Sequence, residues 1–447
     1  MWTSRLPNNL TGENKSVNKK RKQFMKTCKP VLMKIYKSMS CVVAFALVFA
    51  TAATAADNPI PSKHKIIKFN APGAGTGSGE GTVPISINPA GKIAGLTRDS
   101  NLVRHGFLRD KDGKFTVFDD PNAAGGSGQG TRGYSINPKG TITGWFDDVT
   151  TGAGRGYVRA PDGTITNFDA PDAGKAPYPQ GTFPWGDGMI NPSGAVTGWY
   201  TDSNNASHGF VRAPDGTITE FDVPGDSGGT VPYGGINAAG TTTGYYCNQT
   251  NCYGFLRSTD GTFTKFHVSG AVLTAAESIN AAGATTGWWQ DANSAYHGFV
   301  RAPHGKITKF DPRGTGKGSG QGTVPWSIND AGVISGQYQD ASGVYHGFVR
   351  AADGKITTYH LPGAGTGSGQ GTQPSVINNN GAITGDYIDA HGVYHGYLAK
   401  GLSDVEYSDR LLEANSTFND QAPINGPGTT IAVPRATTRR PAATLPE

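Results

Sequence analysis

The sequence predicts an all-β protein: a seven-bladed β-propeller of four-stranded antiparallel blades, closed by an N-terminal strand that completes the last blade. Three observations predict it. A stretch averaging about 48 residues recurs seven times between residues 66 and 400. Each copy holds four short runs of β-branched and aromatic residues separated by turn signals. The repeat is also cut one strand out of phase, so the chain opens on a fourth strand and stops after a third. With 65 glycines and 16% charged residues, the composition suits a turn-dense β chain, because glycine weakens helix interiors by roughly 1 kcal/mol each.

The cleanest copy, residues 327–363, reads SINDAGVISGQYQDASGVYHGFVRAADGKITTYHLPG. Its first strand ends in Ile-Asn, as do those of the other copies, at Asn88, Asn137, Asn191, Asn237, Asn280, Asn329 and Asn378. Three residues after each Asn stands a Gly, which is type I turn chemistry: the amide caps the turn and Gly accepts a positive φ. A second alternating strand follows, as in TITGWF, then a loop of about seven residues and a third strand, commonly HGFVRA. A Pro-Asp-Gly or similar turn leads to the fourth strand, as in TITEFDV or KITKFDP, and a usually Gly-rich linker joins it to the next unit. These linkers lack the Lys-Ser/Thr ending of a phosphate-binding loop and read as surface connections. Four antiparallel strands at this period describe a propeller blade. A solenoid would need capping units, and none is visible. Residues 66–75, IIKFNAPGAG, supply the fourth strand that the seventh unit lacks and remove an exposed edge.

The domain boundaries follow: a signal peptide over residues 1–56, the propeller over 64–400, and a tail over 401–447 with room for a short helix before a Pro/Thr/Ala-rich end, residues 423–447, whose composition predicts disorder. The leader has a basic start, an apolar run over residues 41–50 and an Ala-Thr-Ala end, the pattern of a cleaved export signal. Ten residues are too few to span a bilayer, so no retained transmembrane segment is expected. The product is expected to be secreted, periplasmic or held at the cell surface. Ten of the 39 basic residues and one of the 34 acidic ones lie in the leader, so the remainder, with 29 basic against 33 acidic, offers no basic patch for nucleic acid. Cys247 and Cys252 are the two cysteines left after the leader, they sit in a hairpin loop, and they are expected to form a disulfide.

The Ile-Asn-x-x-Gly turn, the glycine in the middle of the second strand and the His-Gly-Phe strand resemble the bacterial HAF-type extracellular repeats across all seven units. The central Ala of that family is Gly in every copy here. The resemblance implies an exported β-propeller and brings no catalytic residues with it.

Positions that repeat are read as what builds a blade. His105, His208, His297, His346 and His395 open the third strand, each six residues after an aspartate: Asp99, Asp202, Asp291, Asp340 and Asp389. Where Asn248 replaces the aspartate, Tyr253 replaces the histidine, so an Asp–His hydrogen bond across each hairpin is expected in a structural role. Recurrent aromatic residues on the fourth strand are read as inter-blade filling, and the recurrent arginines at the end of the third strand as paired or solvated.

Positions that vary are where ligand contacts can diverge. The residue after the central Gly of the second strand runs Leu96, Trp145, Trp199, Tyr245, Trp288, Gln337, Asp386. The residue two before Ile-Asn runs Ile85, Tyr134, Gly188, Gly234, Glu277, Trp326, Ser375. If the first strand is innermost, both sets lie toward the face formed by linkers and seven-residue loops. There Tyr134, Trp145, Trp199, Tyr245, Trp288 and Trp326 are candidate ligand contacts, and packing between blades is the other reading. The expected function is a binding or scaffold module for carbohydrate or protein, with no cofactor and no metal. One alternative is a polysaccharide hydrolase or lyase using Glu277 and Asp386, although no nucleophile or metal motif accompanies them. The other is a purely structural envelope protein. The structural reading of the histidines predicts that His346→Ala lowers the melting temperature and leaves ligand binding intact. Lost binding at unchanged melting temperature would reverse that assignment.

Overall fold

The computed structural model describes residues 65–402. The expected signal peptide and the tail beyond residue 402 lie outside the described residues. Within them the chain forms 28 β-strands and no helix, gathered by hydrogen bonding into sheets of twenty and eight strands. The arrangement is propeller-like.

One repeat stands for the rest. Gly322–Ile328 pairs antiparallel with Ile334–Gln339, that strand with Tyr345–Arg350, and that one with Ile356–Tyr359. The third strand then touches the first strand of the following repeat through a single parallel pair, Tyr345 with Gly371. Lys65–Phe69 pairs antiparallel with Tyr394–Lys400, from Lys65 opposite Lys400 to Phe69 opposite Gly396. The N-terminal strand is thus the fourth strand of the last repeat.

The Ile-Asn turn does more than reverse the chain. The Asn329 carbonyl accepts the Gly332 amide at 2.9 Å, with Gly332 at φ 78°. Its side-chain Oδ1 accepts the Val333 amide at 3.0 Å, and its Nδ2 donates to the carbonyl of Asn378, the equivalent residue of the next repeat, at 3.2 Å. The same inter-repeat bond joins Asn88 to Asn137, Asn137 to Asn191, Asn191 to Asn237, Asn237 to Asn280 and Asn280 to Asn329. Asn378 donates in turn to the carbonyl of Asn88 at 3.0 Å. All seven side chains are buried.

Two further contacts recur between neighbouring repeats. The Thr that follows the Gly at the start of most first strands is fully buried. Its hydroxyl accepts the backbone amide just past the fourth strand of the preceding repeat, as Thr82 does from Ala71 and Thr372 from Leu361, both at 2.8 Å. The fourth-strand aromatic packs on the third-strand aromatic of the next repeat, Phe168 on Phe210 and Phe310 on Phe348, both at 5.9 Å between centroids. The guanidinium of that next repeat covers the same ring: Arg212 over Phe168 at 5.1 Å and Arg350 over Phe310 at 5.0 Å. The recurrent arginines are therefore cation–π lids between repeats rather than solvated charges.

The central Gly of the second strand has a steric cause. A Cβ on Gly336 would stand 2.5 Å from the Val324 carbonyl oxygen and 2.7 Å from Pro325 Cα. Alanine there would push the first strand away.

Asn329→Ala removes the partner of the half-buried Val333 amide and one donor to a buried carbonyl, and it is expected to cost about 1–3 kcal/mol in denaturant unfolding. Asn329→Asp keeps the acceptor for Val333 and replaces the donor to Asn378 with an oxygen. Wild-type stability in that variant would show that the bond between repeats contributes nothing.

Candidate ligand-binding site

In five repeats the antiparallel register of the first two strands slips by one residue: at Pro84/Ser86, Gly133/Ser135, Ala276/Ser278, Pro325/Ser327 and Pro374/Val376. A β-bulge leaves one residue unpaired and re-aims its side chain. The residues released are Ile85, Tyr134, Glu277, Trp326 and Ser375, and all five line one cavity of about 790 Å³. Proline precedes three of these bulges, at a place where a missing N–H costs no ladder bond. In the third and fourth repeats the break is longer, with Gly186, Gly188 and Gly235 at positive φ. There Trp185 and Tyr233 stand in the bulge position and line the same cavity.

This corrects the sequence register. Counting back from Ile-Asn selects Gly188 and Gly234 in those two repeats, because the insertions lie between bulge and turn. Counting forward from Gly-Thr, as in GTFPW and GTVPY against GTVPW, finds Trp185 and Tyr233 at once.

Of the six aromatic candidates, Tyr134, Trp145 and Trp326 line the cavity, whereas Trp199, Tyr245 and Trp288 are not among its lining residues. Trp199 stacks on Trp185 at 5.7 Å with 17° between planes and contacts Tyr233 at 5.7 Å. Tyr245 is buried in an apolar cluster with Trp288. Trp185 also approaches Trp145 at 5.3 Å and Tyr134 at 5.7 Å. One wall is thus a continuous aromatic arc, with the exposed Tyr178 parallel to Trp145 at its edge, 6.4 Å away. Linker residues Ser127–Gln129 and loop residues Thr150–Gly152 also border the cavity, so it opens on the linker side.

The cavity also carries polar groups, some of them beside the rings: Asp187 stands two residues after Trp185. Glu277 accepts a 2.6 Å hydrogen bond from Trp288 Nε1, and burial pushes its carboxyl well above the usual range. Burial raises Asp386 to about 7, against the pull of Arg98, and its Oδ2 has no hydrogen-bond partner among the described residues. Asp187 is raised to about 6 by burial, offset by the Ser86 hydroxyl and the Gly188 amide. Glu277 and Asp386 share the cavity. Burial favours the protonated form of both, and hydrolysis by a carboxyl pair needs one acid and one carboxylate.

The histidines lie elsewhere. His346 and His395 meet Asp340 and Asp389 at 3.1 Å, but His105, His208 and His297 stand 3.6–3.8 Å from Asp99, Asp202 and Asp291. Those three rings bond instead through Nδ1 to Asp119, Asp222 and Asp311 just past the fourth strand, at 2.7–2.9 Å. The reason is local. A Phe-Asp pair ends the fourth strand there, while the two remaining histidines face His360 and Asn70 in that place. Four of the five also stack on a second-strand aromatic, His297 on Trp289 at 4.4 Å being the tightest. Cys247 and Cys252 face each other across paired strands and are disulfide-bonded. Among the described residues no group of three His, Cys, Asp or Glu is placed to hold a metal ion.

No family model and no curated protein sequence matches the chain. Solved structures with a similar course include puromycin hydrolase, with TM-score 0.46 and 13% identity over 70% of this chain and 50% of that one. Oligogalacturonate lyase in complex with manganese follows at 0.45 and 12%, over 75% and 97%. The BP39L lectin from Burkholderia pseudomallei scores 0.44 at 9%, over 68% and 91%. The chain spans half the length of the hydrolase, and likenesses at this level say nothing about what it binds.

A carboxyl whose pKa is raised on folding destabilises the fold progressively as pH rises from its unfolded value, near 4, through its folded value. For Asp386 the loss accumulates between about pH 4 and 7. Asp386→Asn is therefore expected to raise stability at pH 8, by on the order of 2–4 kcal/mol, and to change little at pH 4. Equal effects at both pH values would remove the buried ionisation as the cause.

Proposed function

We propose that the chain is a closed seven-bladed β-propeller of the HAF-repeat type, exported from the cell, whose linker-side mouth binds carbohydrate. Support for closure comes from the Asn-to-Asn bond that returns from Asn378 to Asn88 and from the pairing of Lys65–Phe69 with Tyr394–Lys400. The observation that carries the binding reading is the aromatic arc of Tyr134, Trp185, Trp145, Trp199 and Tyr233 beside the cavity. Flat rings take up the apolar faces of pyranoses, while Gln337, Gln373 and the buried carboxyls offer hydrogen bonds to hydroxyls. The cavity volume, about 790 Å³, suits a few sugar units. A globular partner would call for a broader, flatter surface.

The test is a glycan array followed by calorimetry on the folded protein. Trp185→Ala and Trp326→Ala are each expected to weaken oligosaccharide binding about tenfold or more, as loss of a buried aromatic anchor does. An array without a binder, beside a pull-down that recovers one protein, would replace the carbohydrate reading with a protein-binding one.

A further inference from the structure

Three arginines stand at strand positions where no other repeat carries one. Arg98 ends the second strand of the first repeat, where the other copies have Asp147, Thr201, Cys247, Gln290, Gln339 and Ile388. Arg104 opens the third strand of that repeat, where the others have Gly154, Ser207, Cys252, Tyr296, Tyr345 and Tyr394. Arg132 is third in the Gly-Thr-x start of the second repeat, a place held elsewhere by Val83, Phe183, Val231, Ala275, Val324 and Gln373. The repeat framework needs none of them. All three nevertheless line one sector of the cavity.

Their charges are unevenly answered. Arg132 donates to Asp147 at 2.7 Å and lies 3.7 Å over the Trp145 ring. Arg98 donates to the Gly79 carbonyl at 3.1 Å and covers Tyr394. Arg104 has, among the described residues, no side-chain hydrogen bond and no carboxylate within ion-pair distance. Burial, with Arg132 and Arg98 beside it, lowers its pKa to about 10. Of the acids that bear on this sector, Asp147 is already engaged by Arg132, and Asp386 acts on Arg98 rather than on Arg104. The indole N–H of Trp145, whose side chain is 3% exposed, is a second donor without a partner. A partly buried guanidinium with no counter-ion is a costly arrangement for a fold alone, and it is the arrangement that captures an acidic group.

We infer that the mouth is built for an anionic oligosaccharide, whose carboxylate or sulfate meets Arg104 with Arg98 alongside while its ring lies on the aromatic arc. The inference rests on the carbohydrate reading above and narrows its ligand class to acidic sugars.

Calorimetry with tetragalacturonate, a sulfated galactan tetrasaccharide, neutral galactotetraose and cellotetraose tests it, on the wild type, Arg104→Gln and Trp185→Ala. An acidic sugar is expected to bind at least about tenfold tighter than the neutral ones, and to weaken as salt rises from about 50 to 500 mM. Arg104→Gln should bring its affinity down to the neutral level without lowering the melting temperature. The two acidic probes separate carboxylate from sulfate. Neutral sugars that bind as tightly, or an acidic preference that survives Arg104→Gln, overturn this inference and leave the carbohydrate reading standing. If no sugar of either class binds the folded protein, both fall.

Discussion

Seven asparagine side chains do the linking in this molecule. Each caps its own turn with Oδ1 and reaches with Nδ2 to the carbonyl of its counterpart one repeat on, the last donating to the first. A primary amide is the smallest side chain able to do both at once, since it offers an acceptor and a donor on one planar group. Aspartate would lose the donor and serine would lack the reach. Because the carbonyl that receives the amide also closes the neighbouring turn, as Asn329 O does for Gly332, each turn's geometry is tied to the next. Errors in one repeat would therefore be passed on, which explains why the Asn and the Gly three residues later do not vary.

The outer contacts are redundant where the inner ones are not. The fourth-strand ring under an arginine recurs from Arg109 over Phe69 to Arg350 over Phe310, whereas the Asp–His–aromatic stacks change from repeat to repeat. Arg155 takes the histidine place and bonds Asp169 and Asp148, while Tyr253 stacks on Tyr246. Such contacts add packing and charge-assisted bonds at partly exposed positions, where each pair contributes little by itself. Variation there is tolerated, and it carries no information about a ligand.

The cavity is a by-product of the same repeat. A bulge between the first two strands leaves one residue outside the ladder, and its side chain lines the cavity. The framework asks of that residue only that it not pair, so its chemistry is free to differ: Ile85, Tyr134, Trp185, Tyr233, Glu277, Trp326, Ser375. Carboxyls and rings meet in the same lining, as Asp187 beside Trp185 shows. Three of the four aromatic members fall in consecutive repeats, the second to fourth, and give the site a direction, as a ligand with one flat face requires; Trp326 stands apart in the sixth.

Much of this was legible in the chain. Period, strand order, turn chemistry, the disulfide and the out-of-phase ends are local or follow from comparing copies, so pattern alone determined them. It also separated repeated residues from varying ones, which led to Tyr134, Trp145, Trp326, Glu277 and Asp386. Three things waited for the tertiary structure. The insertions after Trp185 and Tyr233 shift the count from the turn but not the count from Gly-Thr, so the sequence offers two registers and the cavity lining decided between them. Trp199, Tyr245 and Trp288 occupy the same sequence position as Trp145, yet what packs beside them, decided by neighbouring repeats, takes them out of the cavity lining. Arg98, Arg104 and Arg132 sit at three unrelated positions of the repeat, and no periodicity can bring such residues together; their convergence exists only once the strands of two repeats stand side by side.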